Sequence, residues 1–572
     1  MQKIPTLGLV LATTALSALP LHADVHVLAA DEAAISLTPL GQYRSGLYDE
    51  SGAEIVAYDA ASRRAFVVNA AGRAVDVLDM GDPTAPGLLF SIDVTDIGAD
   101  ANSVAVHGGI VAVAVQAADK TQPGFVVFHD TDGNRIAQVQ AGALPDALTF
   151  SPDGTIVVVV NEGEPADDYA IDPEGSITII DLSGGVAGIT QANVRHADFR
   201  AFNGREDALR SSGVRIFGPG ASAAQDFEPE WAEVASDNRT AYVGLQENNA
   251  IAVVDLVTAE VTAVHPLGFK DWAAGAPWSG AGFDGSRRGD VALRNWPVLG
   301  MFLPDTIRIH ETGGETFIVT ANEGDARAYD EEGWWLEEMN IRSLRLDPAA
   351  FPDAEALQAR EAIGDLLVTT TLGVANDCDP SSTTAQVQAL GFATIEDYVS
   401  SECVYDALYT YGGRSASIFR VTDVGLELVW DSGSQMEETV LALLPDFFNA
   451  DNRHRDEQRK RRSINKGPEP EGVALGTVDG RSYAFVGLER IGGVMVYDIT
   501  VPAETRFVKY INTRDFAFAV NPEGATATDL GAEGLHFVPA AESPDASGRP
   551  LLLIGNETSG TTRVFAIDTV TR

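Results

Sequence analysis

The chain has 572 residues, 83 acidic against 39 basic side chains and a formal net charge of −44. Such a balance excludes nucleic acid as a partner, because phosphate contacts need clustered cations. It leaves a surface that attracts cations, one adapted to a salty medium, or a plain solvated acidic coat.

In chain order, residues 1–23 read as a secretory signal peptide. Lys3 precedes an apolar run from Ile4 to Pro20, and Leu21-His22-Ala23 offers a cleavage site, with Ala29 as a second one. No later stretch has the uninterrupted apolar length of a membrane helix. The expected location is secreted or periplasmic, with no transmembrane segment. An orphan strand follows, Ile35 to Tyr43.

One sentence is then written seven times. A first strand opens on a polar residue after Pro or Ala: Glu54, Asn102, Asp146, Glu230, Asp305, Glu471 and Glu533. A second strand ends on Asn69, Gln116, Asn161, Gln246, Asn322, Glu489 and Asn556. A third often ends on aspartate, as at Asp79, Asp181, Asp255, Asp498 and Asp568. The clearest copy runs from Leu144 to Asp181, with the turn Pro152-Asp153-Gly154 between β-branched runs. Repeats of roughly 40–50 residues with several short strands each predict a β-propeller. The fold class is therefore all-β: a seven-bladed β-propeller over 35–572, closed by pairing Ile35–Tyr43 with the last repeat, plus partly helical insertions.

Four insertions interrupt the repeats. The first, Leu182–Asp226, has helical patterning around Arg205–Ser211, and the second spans Pro266–Met301. The largest, 326–412, falls between the second and third strands of blade five. It carries Trp334-Trp335, a predicted helix around Asp353–Ile363, and the only two cysteines, Cys378 and Cys403. In an oxidising compartment these can form one disulfide. The fourth insertion, 434–468, is a basic loop holding Arg453-His454-Arg455 and Arg459-Lys460-Arg461-Arg462.

First strands of propeller blades line the central channel, so the repeat predicts an acidic ring at one mouth. The candidate metal ligands are Glu54, Asp146, Glu230, Asp305, Glu471 and Glu533, joined by Glu162, Glu323 and Asp325 from Asn161-Glu162-Gly163-Glu164 and Asn322-Glu323-Gly324-Asp325. Oxygen-only ligands suit Ca²⁺ or Mg²⁺ rather than zinc. The alternative is that these side chains bond backbone N–H groups of neighbouring turns. Arg414, Arg287 and Arg288 are candidate anion holders; beside a metal they would compose a phosphoester site. Pairing with the acidic surface is the alternative for them. The sequence contains no Gly-x-Ser-x-Gly, His-Glu-x-x-His or P-loop motif, and Ser463-Ile-Asn-Lys466 matches Ser-x-x-Lys without its partner motifs.

An ordered set of motifs adds a resemblance. Asn161-Glu-Gly-Glu-Pro165, Asp172-Pro-Glu-Gly-Ser176, Phe269-Lys-Asp271, Asn295-Trp-Pro-Val298, Pro304-Asp305, Ala321-Asn-Glu-Gly-Asp-Ala-Arg327, Gly412-Gly-Arg-Ser415 and Gly467-Pro-Glu-Pro-Glu-Gly472 together resemble the choice-of-anchor I family. That group includes mesenchyme-specific cell-surface glycoproteins tied to biomineralisation, and bacterial relatives labelled alkaline phosphatase. The resemblance implies a secreted or surface propeller associated with calcium. It supplies no catalytic residues. The family's aspartate-rich loop is reduced here to Asp284-Gly-Ser-Arg-Arg-Gly-Asp290, and the absence of an anchor segment after Asp568 implies a soluble member. Two functions follow as expectations: a calcium-dependent, alkaline phosphatase-like phosphoesterase, or a non-catalytic extracellular calcium-binding surface or matrix protein whose partner is an extracellular macromolecule.

Overall fold

A computed structural model describes residues 25–327, 335–453, 458–516 and 528–570. The signal-peptide segment 1–23, Trp334 and residues 454–457 of the basic run lie outside the described residues.

The chain is all-β. Seven antiparallel meanders account for most of it, each built of four strands paired in chain order. Their first strands are Val56–Asp59, Ala101–His107, Pro145–Phe150, Pro229–Val234, Ile307–Thr312, Pro470–Val478 and Ala532–Val538. Each first strand packs beside the next, and the seventh packs beside the first. The seventh sheet takes its outermost strand from the other end of the chain. Ile35–Arg44 pairs antiparallel with Thr561–Thr569, with Leu37 opposite Ile567. The sixth sheet gains a fifth strand, His26–Ala29, along Arg506–Asn512.

Period-two alternation explains why these strands are apolar at nearly every position. Successive side chains point to opposite faces. In Ile110–Val115, residues Val111, Val113 and Val115 pack with Phe66 and Val75 of the first sheet. Ala112 and Ala114 pack with Leu148 and Val157 of the third. Both faces are covered, so no polar face is needed. The same rule holds between the seventh and first sheets, where Leu551, Leu553 and Val564 meet Val56, Ala65 and Val67. Full burial of one such aliphatic side chain stabilises the fold by about 1.5–3 kcal/mol.

The second and third insertions combine. Phe269–Asp271 and Leu299–Met301 join Tyr409–Thr410, Leu367–Thr369 and Glu338–Asn340 in one five-stranded sheet. Its own core contains Trp272, Phe283, Ile341, Val368 and Tyr405. A disulfide links Cys378 and Cys403, with Cα atoms 5.1 Å apart. The predicted helix at Asp353–Ile363 shrinks to one turn, Ala354–Leu357. The chain leaves the helix there because Ile363 and Leu366 are drawn into the insertion core, and Gln358 caps the carbonyls of Ile341 and Leu344. In the first insertion the expected helical turn is present as Glu206–Ser212. The fourth insertion is not all loop: it opens with a helix, Gln435–Leu443.

Buried ion pairs fasten these insertions to the sheets and to one another. Lys270 Nζ lies 2.8 Å from Asp431, Lys460 Nζ 3.1 Å from Asp284, and Arg414 Nη1 2.7 Å from Glu437. Removing one partner of such a pair leaves an uncompensated buried charge. The variant Arg414→Met should therefore lose about 3–5 kcal/mol of stability in denaturant titration. The double variant Arg414→Met/Glu437→Leu should recover much of that loss.

Candidate acidic cavity

The seven repeat marks converge. Glu54, Asn102, Asp146, Glu230, Asp305, Glu471 and Glu533 all line one cavity of about 410 Å³. Each sits at or near the start of its inner strand, and every sheet runs its first strand the same way, so the starts meet at one end. Glycine lets the strands approach there. A Cβ on Gly472 would come within 1.7 Å of the Glu533 carbonyl oxygen, and one on Gly534 within 2.4 Å of the Glu54 carbonyl oxygen. A glycine directly after Glu471 and after Glu533 thus allows the neighbouring strand to crowd in at these two positions.

None of these six carboxylates makes an ion pair among the described residues. Glu230 Oε2 and Glu471 Oε2 are buried with no hydrogen-bond partner. Burial and mutual repulsion both disfavour the charged form. Burial, with the charge of Glu557 next, pushes Glu54 up to about 8. Burial, then Glu164, pushes Asp146 up to about 7. Glu230, Asp305, Glu471 and Glu533 are raised well above the carboxylate range by burial, and then by neighbouring carboxylates.

The rim of the cavity is different. Glu323, Asp325 and Glu489 also line it, but here basic side chains enter. Lys466 Nζ is 2.9 Å from Glu323 and 2.9 Å from Asp325. Arg490 lies 2.7 Å from Glu469 and 2.5 Å from Glu489. Burial alone would raise Asp325, yet Lys466 outweighs it and holds the carboxyl below its usual range. Glu469 is depressed further, against burial, by Arg462, Arg490 and Lys466.

Deeper along the same inner strands lies a second cavity of about 450 Å³, walled by Val104, Leu148, Ile309, Ala474 and Phe537. Arg308 and Trp231 line both cavities and so mark their boundary. The Arg308 guanidinium sits 4.6 Å over the Trp231 ring, pairs with Glu233, and donates from Nε to the Val473 carbonyl at 3.0 Å. Three consecutive sheets, the fourth, fifth and sixth, are tied by this one side chain.

Other sequence candidates are placed elsewhere. Glu162 does not line the cavity; burial raises it well above its usual range, followed by the charges of Glu164, Asp146, Glu228 and Glu247. Arg414, 2% exposed, does not line the cavity either. Its guanidinium is committed to Glu437 and to the carbonyls of Ser463 and Asn465 at 2.8 and 2.7 Å. Arg287 and Arg288 are exposed and outside the cavity lining, and Arg287 Nε donates to the Arg461 carbonyl. The asparagines that end second strands staple their own sheets: Asn161 Nδ2 donates to Thr178 Oγ1 at 2.9 Å, and Asn322 Nδ2 to Ser417 Oγ at 2.7 Å. The sequence reading missed Arg308, Lys466, Glu469 and Arg490. Only the Glu469 position carried a signal, since it lies inside the motif Gly467-Pro-Glu-Pro-Glu-Gly472.

A sequence model of the choice-of-anchor I domain matches residues 54–502. Gigasin-3a of Magallana gigas is 30% identical over 174 residues, 28% of this chain and 58% of its own length. The mesenchyme-specific cell surface glycoprotein of Strongylocentrotus purpuratus is 26% identical over 332 residues, 54% of this chain and 40% of its own. The alignments thus span about half the length of these relatives. Among solved structures, Kuenenia stuttgartiensis hydrazine synthase aligns over 91% of this chain and 96% of its own, at 12% identity and a TM-score of 0.42. The β-propeller domain of Myceliophteria thermophila Cps50 (Swd1) aligns over 94% and 100%, at 10% identity and a TM-score of 0.42. The family match covers well over half of the chain, from the first ring carboxylate to beyond the fifth, and the chain belongs to the choice-of-anchor I domain family.

Proposed function

We propose that the seven sheets are the blades of a β-propeller whose acidic channel mouth binds a divalent cation, and that the protein acts outside the cytoplasm as a non-catalytic calcium-binding surface or matrix protein. One observation carries this reading: six carboxylates from six different sheets meet in one cavity, and none forms an ion pair with any described residue. Such a group must hold protons or a cation. Oxygen-only donors suit Ca²⁺, which accepts six to eight oxygens in flexible geometry, better than the strict octahedron of Mg²⁺. An extracellular place is supported by the name of the Strongylocentrotus purpuratus relative, a cell surface glycoprotein. Among the described residues, no helix is long and apolar enough to cross a membrane.

A phosphoesterase is the second reading, favoured by Arg308 and Arg490 lining the cavity beside the ring. A bound metal would polarise a phosphoryl oxygen, a ring carboxylate would serve as base, and an arginine would clamp the anion. Both arginines are already committed to carboxylates, which ranks this second. Phosphomonoesterase and phosphodiesterase assays with calcium added and then chelated decide between the two. The expected outcome is no turnover under either condition; calcium-dependent turnover would replace the non-catalytic reading.

The cation itself is tested by isothermal titration with CaCl₂ and MgCl₂. Calcium should bind, and Glu471→Gln or Glu533→Gln should weaken it roughly tenfold, about 1.4 kcal/mol. In the metal-free protein the same substitutions should raise the melting temperature near pH 8, because each removes a buried carboxylate that must either repel its neighbours or be held protonated. A purely backbone-bonding role predicts the opposite sign.

The pH dependence has a defined direction. Ring carboxylates are protonated in the folded state up to about pH 7 for Asp146 and about 8 for Glu54, whereas the unfolded chain releases those protons in the ordinary carboxylate range. The folded state therefore holds more protons, and stability falls as pH rises between these limits. Thermal melts without metal should show a lower midpoint near pH 8 than near pH 5. Calcium should raise the midpoint more at the higher pH.

A further inference from the structure

At the rim, Glu323, Glu469 and Glu489 bring carboxylate oxygens within 4.8 Å of one another, a spacing that fits a single ion. Positive charge is already seated there. The Lys466 ammonium is 2.9 Å from Glu323 Oε1, 2.9 Å from Asp325 Oδ1 and 3.5 Å from Glu469 Oε2. Lysine carries three donors on a compact point charge, and here it meets three carboxylates. Its side chain is 11% exposed, so the desolvated ammonium is tolerable only inside such a cage. Arg490 and Arg462 complete the balance against Glu469 and Glu489. Four rim carboxylates thus face three cations, while the six ring carboxylates face none in an ion pair. One acceptor is left over: Glu489 is 4% exposed, and its Oε2 has no hydrogen-bond partner.

We propose that Lys466 is a tethered cation occupying a divalent-ion position at the rim, and that it confines ion uptake to the ring. The segment 466–469 supplies both the ammonium and the Glu469 carboxylate, so the chain delivers its own counter-ion to the cage. A neutral side chain at 466 would leave Glu323 and Asp325 without a basic ion-pair partner among the described residues. The remaining oxygens would form the hard, multidentate set that calcium prefers. Lys466 is in this sense the residue that sets how many ions the cavity holds. The inference uses the proposed ring site only as the reference count.

The test is equilibrium dialysis with ⁴⁵Ca²⁺ on the full chain, comparing wild type with Lys466→Met, Lys466→Gln and Lys466→Arg. Both neutral variants should bind one more calcium per chain than wild type, and the arginine variant the same number as wild type. Adding Glu323→Gln to Lys466→Met should abolish the extra ion. Equal counts in wild type and both neutral variants would overturn the proposal while leaving the ring site intact. No ion in wild type but one in the neutral variants would overturn the ring site and sustain this one. If neither neutral variant folds even in excess calcium, the proposal falls, because the ion should then replace the ammonium.

Discussion

Face-to-face burial of β-sheets around a ring is the constraint from which the rest follows. Each sheet has two apolar faces, and each face is covered by a neighbour. The cluster joining the seventh sheet to the first is as dry as those between any other pair, with Val67 and Leu553 almost fully buried. Once the sheets are fixed this way, the starts of their inner strands must converge, whatever residues they carry. Six of the seven carry acids. The electrostatic character of the cavity is thus imposed by packing: the hydrophobic gain at seven interfaces holds together charges that would otherwise separate.

Two strategies for managing buried negative charge coexist within one cavity. At the rim, lysine and arginine side chains are woven between the carboxylates. Around the ring no described lysine or arginine pairs with the carboxylates, and elevated proton affinity is the result. Acids of the same type, a few residues apart in sequence, therefore behave in opposite ways: Glu469 is held below its usual range while Glu471 is pushed above it. Glu469 points among Arg462, Arg490 and Lys466, and Glu471 among Glu489 and Glu533.

What was legible in the sequence was whatever repeats. The strand pattern, the acids after Pro or Ala, and the pairing of Ile35–Arg44 with the last strand all belong to that class. Side chains delivered by insertions left no such trace. Lys466 stood in a chance match to Ser-x-x-Lys, and nothing in sequence ties it to Glu323, 143 residues away. Arg414 read as an anion holder because guanidinium suits phosphate, but Glu437 on a helix of the fourth insertion takes that place. The helix expected at 353–363 failed for a similar reason: contacts with the insertion core outweighed local propensity.

The seventh sheet couples the two ends of the chain, with Ser36 opposite Asp568. During synthesis, strand Ile35–Arg44 must wait for more than 500 further residues before its partner is made. Loop closure on this scale is slow compared with forming a local meander. Pairing these two strands closes a loop of more than 500 residues, and until it forms the strand Thr561–Thr569 presents an unpaired edge to any other chain nearby. In an acidic protein of net charge −44, mutual repulsion between molecules protects that interval.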